Sequence, residues 1–295
     1  MTREVLRAEP VRGADREQVA AYLSRIGLSR TGLTGFTEPD LATLTAIVAA
    51  HVRVIPFENL TPLMGVPIHD LGVDALFAKL VQRARGGYCF ETNNLLRYVL
   101  IGMGYRVEAF GARVVWSSPD GLQGPPTAQT HQLLRVGVPG DGQRYLVDVG
   151  FGGQTPSSPI RFEVDLVQQT RHEPYRLTEF GVEFVLEVMI GDRWRPLYVF
   201  PDQDRPLIDF QVASWYVSSN PALRWLNELV VSSVTDDARW NLHGRHLTVH
   251  HRDGRSEHHE LKNATAVLDV LMNRFGIDVG GLGDVHKRIT ESLTP

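Results

Sequence analysis

The only cysteine among 295 residues, Cys89, sits in RGGYCFETNN (85–94), directly after a glycine pair and at the head of an apolar run with helical period. A lone cysteine often serves as a small buried hydrophobe. The setting argues for a nucleophile: Gly86 and Gly87 allow close backbone approach, and a helix starting at Cys89 would stabilise a thiolate. A free thiol with a pKa of about 8.5 is only slightly ionised at neutral pH. A helix start and an imidazole partner together would make the thiolate the resting form.

Among the 11 histidines, His131 is the candidate partner. It opens HQLLRV, a strand-like run entering from a loop, so the strand could fix its ring at an open site. The next such run, RYLVDVGF, carries Asp148 among apolar residues, where a carboxylate is costly to bury unless paired or hydrogen-bonded. Strands joined through GVPGDGQ would set Asp148 alongside His131, fix the tautomer and leave the other ring nitrogen for the thiol. Taken singly, His131 reads more readily as a satisfied interior histidine, and Asp148 as a turn or strand-end residue with local hydrogen bonds. Together with the only cysteine they favour nucleophilic acyl transfer.

Four helices are expected before residue 105. Asp15 and Gln18 have capping-box spacing ahead of Val19, Tyr22, Leu23 and Ile26. Leu41, Leu44, Ile47 and Val48 repeat the pattern until Pro56, after the turn signals of SRTGLTGFTEPD (29–40). VDALFAKLVQRARGG is the third run, and Cys89 to the glycines after Ile101 the fourth. The middle changes to period two in RVEAFGARVVW, HQLLRVGV, RYLVDVGF, FVLEVMI and WRPLYVF, with SSPDGLQGPPTAQ as a loop and Gly191-Asp192 as a hairpin turn. The last third mixes a helix broken at Pro221, two strands around Asp253-Gly254 and a helix ending at Gly276. Helices, then strands, then mixed elements make the fold α+β.

With 43% hydrophobic and 22% charged residues the chain is an ordinary globular one. A net charge of -4 gives no general attraction to nucleic acid or an anionic membrane. The N-terminus lacks a secretory apolar core and no stretch nears the roughly 20 apolar residues of a membrane span, so a cytoplasmic protein is expected. One cysteine excludes an internal disulfide. Few apolar residues precede Val19, so a disordered N-terminal tail is expected. The histidine-rich HHRDGRSEHHE could pair His250 or His251 across its turn with His258 or His259 as a zinc site. A solvated hairpin is preferred, because no thiolate or buried carboxylate accompanies it, and no metal is expected.

The stretches PFEN (56–59), RGGYCFETN (85–93), HQLL (131–134) and DVGFGG (148–153) resemble the arylamine N-acetyltransferases in order and spacing, most closely the actinobacterial members. The likeness runs from about residue 18 through TPSSPIR, HEPYRL, ASWYVSS and DDARWNL. It implies a helical bundle carrying the nucleophile (1–104), a β-barrel carrying His131 and Asp148 (105–210) and an α/β lid (211–295). It implies acetyl transfer from acetyl-CoA to an aromatic amine or hydrazine through Cys89, His131 and Asp148, by a ping-pong route. Phe57, Val114 and Phe151 match positions lining the acceptor pocket, with ordinary core packing as the alternative. Trp116, Gly152, Gly153 and His250 match positions toward CoA, and Glu58 with Arg85 matches an ion pair propping the Cys89 loop. Two departures stand out: Thr92, where many relatives carry histidine, and an N-terminus about twenty residues longer than usual. The rivals are a thiol hydrolase or transglutaminase-like enzyme, a related macrocyclase acting on a larger acyl chain, and a binding protein with an inactive cleft.

Overall fold

The computed structural model describes residues 11–29 and 39–293. Helix α1 (Arg16–Arg25) opens on the expected box: Asp15 Oδ1 accepts the Gln18 N–H at 2.8 Å and the Asp15 N–H reaches Gln18 Oε1 at 3.1 Å. Most of the turn segment 29–40 lies outside the described residues, as does the first part of the expected tail. The rest of that tail is ordered, a correction to the sequence reading. The Ala14 N–H donates to Tyr98 O at 2.8 Å, an approach that small residues on both sides permit.

Helix α2 (Leu41–Val54) is capped by Asp40 and buries Leu44, Ile47, Val48 and His51 before Pro56 ends it. Strand β1 (Phe57–Glu58), α3 (Leu60–Leu63) and α4 (Val73–Leu76), which runs on as a wider π-helical segment (Phe77–Gln82), lead to α5 (Cys89–Gly102). Every residue of α5 from Cys89 to Leu100 is buried, because this helix packs on the bundle and on the barrel at once.

His51 gives the bundle an acid sensitivity. It is fully buried with Nδ1 2.8 Å from the Tyr22 hydroxyl, and burial first, then Arg25, pull its pKa down from 6.5 to about 3. The fold holds the neutral ring, so below the unfolded value the unfolded chain binds a proton that the folded one refuses. Stability is therefore lost as pH falls from about 6.5 toward 3, by about 1.4 kcal/mol per pH unit in mid-window. Urea unfolding of wild type and His51→Gln between pH 7 and 4.5 should show a shallower decline in the variant; equal slopes would refute it.

Strands β2 (Arg106–Val114), β3 (Gln129–Gly137), β4 (Arg144–Val147), β5 (Ile160–Arg161), β6 (Gln168–Gln169), β7 (Pro174–Phe180), β8 (Glu183–Ile190) and β9 (Arg193–Pro201) form one antiparallel sheet, in the order β5-β4-β3-β2-β9-β8-β7-β6. It is a nearly closed barrel. Its two edges are joined by the Gln168 amide, which accepts the Arg161 N–H at 2.6 Å and donates to Arg161 O at 3.0 Å. Phe110, Leu133, Leu146, Tyr175, Leu186 and Phe200 form its core.

Helix α6 (Leu207–Ser219) follows, so the expected division at 210 falls inside a continuous helix. The run after Pro221 is a single 3-10 turn (Arg224–Leu226). Strands β10 (Val230–Val234), β11 (Ala238–His243), β12 (His246–His251) and β13 (Ser256–Glu260) make a second sheet, with β1 as the edge strand beside β10, through Phe57↔Ser232 and Glu58↔Val231. The C-terminal third thus shares its sheet with the helical part. Helices α7 (Ala264–Asp269), continued as a π-helical segment (Val270–Arg274), and α8 (Val285–Ser292) cover one face. Among the described residues, no helix is long and apolar enough to cross a membrane.

Candidate active site

Pro56, Glu58 and Asn59 of PFEN each have a structural task. Pro56 ends α2, and its carbonyl accepts the Gly87 N–H. A Cβ on Gly86 would lie 2.2 Å from that same carbonyl, so only glycine fits there. Asn59 ties the C-terminal third to this corner by donating to Trp225 O and Glu228 O and accepting the Val230 N–H. Glu58 pairs with Arg85 at 2.5 Å, both buried, and also takes the Leu60 N–H. Burial would raise the Glu58 pKa, but Arg85 and Lys79 outweigh it and hold it below the usual carboxylate range. Glu58→Gln should leave the buried Arg85 charge without its counterion and cost about 3 kcal/mol. Urea unfolding tests this, and a loss under about 1 kcal/mol would show that the pair does not prop the loop.

The propped loop delivers Cys89 as the first residue of α5, buried at 6% exposure, with Tyr88 as N-cap. The Tyr88 N–H faces Glu91 Oε2 at 3.3 Å, and Lys79 holds the Glu91 carboxylate at 2.7 Å. Cys89 Sγ lies 3.6 Å from Thr130 O. That carbonyl is free because β2 and β3 shift register: Ala112 faces His131 and Arg113 faces Gln129, which leaves Thr130 as the extra residue of a bulge.

His131 is 3% exposed and packed between Tyr198 and Phe151, at 4.8 and 5.3 Å between ring centres. Its Nε2 meets Asp148 Oδ2 at 2.7 Å, which leaves Nδ1 for the thiol. Burial, the largest influence, lowers the His131 pKa, but the Asp148 charge and hydrogen bond together with Cys89 outweigh it, so the imidazolium is favoured. Asp148 lies one residue beyond β4, and its Oδ1 takes the Gly150 N–H at 2.9 Å and Asn93 Nδ2 at 3.0 Å. Burial alone would raise its pKa; His131, Asn93 and Gly150 outweigh burial and bring it below the usual range. Asn93 also donates to Gln132 O and accepts the Val149 N–H, so it locks α5 to β3 and to the segment leaving β4. Gly150 lies against the nucleophile, since a Cβ there would sit 2.6 Å from Cys89 Cα.

These groups open on a cleft of about 620 Å³. Phe57, Val114, Trp116, Phe151, Gly152, Gly153 and His250 all line it with Cys89 and His131, while Asp148 stands behind His131. The sequence reading missed Tyr88, Trp225, Asn241, Arg224 and His243 on its walls. It also missed Arg239, fully buried on β11, which binds Glu173 and Thr155 O and secures the loop after Gly153. Aromatic rings supply the apolar wall, and Arg224 with two histidines supplies polar groups able to meet a phosphate-bearing substrate.

The histidine hairpin differs from its expected pairing. His250 faces Ser256 and bonds its hydroxyl at 2.8 Å, His251 and His259 both contact Glu257, and His258 lies across from Thr248. Among the described residues, no group of three or more His, Cys, Asp or Glu could hold a metal ion.

A helix-start cysteine beside a buried carboxylate-bound imidazole, in a cleft on an α+β frame, is an arrangement that suits nucleophilic thiol chemistry. Residues 40–283 match the sequence profile of the N-acetyltransferase family. The chain is 56% identical to the arylamine N-acetyltransferase of Mycolicibacterium smegmatis over 90% of its own length and 96% of that protein, and 31% identical to human arylamine N-acetyltransferase 1 over 88% and 94%. The structure of the Mycobacterium marinum arylamine N-acetyltransferase in complex with CoA superposes with a TM-score of 0.87, at 47% identity, covering 93% of this chain and 99% of that one. The chain belongs to the arylamine N-acetyltransferase family, and acetyl transfer is the activity this membership carries.

Proposed function

We propose that the protein moves an acetyl group from acetyl-CoA to the nitrogen of an arylamine or arylhydrazine through an S-acetyl Cys89 intermediate. The observation that carries the proposal is the buried line from Asp148 Oδ2 to His131 Nε2 behind Cys89, at the floor of an aromatic cleft. In the first half-reaction the Cys89 thiolate attacks the thioester carbonyl. Backbone N–H groups beside Cys89 at the helix start receive the oxyanion. The carbon–sulfur bond to CoA breaks, and the CoA sulfur takes its proton from His131. In the second, the amine nitrogen attacks the acetyl carbon and gives a proton to His131, and the Cys89 thiolate leaves.

Phe57, Val114 and Phe151 fit a flat acceptor, because apolar walls favour an aromatic body. Trp116, Gly152, Gly153 and His250, joined by Arg224 and His243, fit the CoA side of the same cleft. The three-part division keeps its sense with the barrel ending at β9 and α6 opening the third part. A cytoplasmic, reducing setting suits a chain whose one thiol must stay free.

The test is the intact mass of the protein after acetyl-CoA without acceptor, followed by a simple arylhydrazine. One acetyl group should appear and then leave with the hydrazine. A folded protein with a reactive thiol that takes no acetyl group would refute the acetyl-cysteine route and favour a longer acyl donor or hydrolysis.

A further inference from the structure

A second pocket, of about 800 Å³, opens away from the cleft, where the residues before α1 cross α5, β2 and the segment entering α6. Arg97 lines it from α5, two turns beyond Cys89. It is 4% exposed, and its Nε and Nη1 have no hydrogen-bond partner among the described residues. Arg205 lines the same pocket with a buried, unpartnered Nε, its Nη1 lying 3.7 Å from Asp209. Arg12 adds a third guanidinium at the exposed rim. Asp204, the one carboxylate among the described wall residues, accepts the Ala109 N–H on Oδ1 at 2.8 Å, and its charge favours the Arg97 guanidinium without a hydrogen bond to Nε or Nη1.

A buried guanidinium with idle donors is destabilising unless an acceptor reaches it. The planar fork of arginine matches an oxyanion that accepts two parallel hydrogen bonds. The remaining wall is apolar and aromatic, with Tyr98, Ile101 and Val107 prominent, and the volume suits a small molecule. We propose that this pocket is a second ligand site, separate from the acetyl-transfer cleft, for a small organic oxyanion: a carboxylate or phosphate monoester on an apolar body, anchored by Arg97. The thiol, the imidazole and the aromatic cleft take no part in it.

Calorimetric titration of the full-length protein with phenyl phosphate, benzoate and inorganic phosphate tests the site. One equivalent of phenyl phosphate or benzoate should bind more tightly than inorganic phosphate, and the tighter of the two identifies the head group. Arg97→Met should weaken binding by at least about tenfold and Arg205→Gln by a smaller factor, while Arg224→Gln, at the cleft, should leave it unchanged. If Arg97→Met does not fold, Arg205→Gln decides. Absence of millimolar binding to the wild type, affinity unchanged in both pocket variants, or affinity lost in Arg224→Gln would overturn the proposal.

Discussion

Replacing Cys89 by alanine is expected to reduce acetyl transfer by about 10⁶-fold, the scale on which loss of a triad nucleophile lowers acyl transfer. The fold should survive. The Cys89 sulfur interacts with Thr130 O, at long range, and with His131, and its loop is held by groups that do not involve sulfur: the Glu58–Arg85 pair, the Gly87 N–H to Pro56 O bond and the Lys79–Glu91 pair. Near-native melting and circular dichroism should therefore accompany the loss of turnover. The variant should also gain no mass with acetyl-CoA. Residual turnover within a few-fold of wild type would mean that the amine attacks the thioester directly, with the cleft acting only by juxtaposition. An acetyl adduct on the alanine variant would move the acceptor atom elsewhere in the chain.

Much of this site was legible because its parts are local in sequence. The glycine pair, the helix start at Cys89 and the Asp15 capping box depend on neighbours within a few residues, and they formed as expected. His131 and Asp148 were readable as a pair because a short hairpin joins β3 to β4. Both readings of Asp148 hold together: it makes a local hydrogen bond with the Gly150 N–H and also holds His131. The bulge that frees the Thr130 carbonyl was not readable, since it depends on how β2 and β3 align. The cleft wall formed by Trp225, Asn241 and His243 was missed because it comes from more than a hundred residues beyond the nucleophile. That wall arrives through β1 joining β10, and a two-residue strand has too little periodicity to announce itself. Asn93 stood in the quoted motif, but its link to Asp148 exists only once α5 lies on the barrel. Arg97 and Arg239 are buried charges whose burial depends on which elements pack over α5 and β11, and nothing local in the sequence signals it.

Asp148→Asn is expected to lower kcat/KM by about 10⁴, the effect of the matching change in a serine triad. The geometry explains why the change should act on chemistry more than on folding. An asparagine can keep Oδ1 on the Gly150 N–H and on Asn93 Nδ2, and turn its NH₂ toward His131 Nε2, where the wild type presents Oδ2. Nε2 must then accept, so the ring proton moves to Nδ1, the nitrogen that should receive the thiol proton. The variant also removes the charge that most favours the imidazolium, leaving burial to dominate, so the His131 pKa should fall. The limb of the pH–rate profile that His131 sets should therefore move to lower pH as turnover falls. Asp148→Ala is a poorer probe, because it strands the Asn93 amide and the Gly150 N–H in a buried site. If Asp148→Asn kept near-normal turnover and an unshifted pH–rate profile, Asp148 would be a support for the Gly150 turn alone, and His131 would act without an orienting charge.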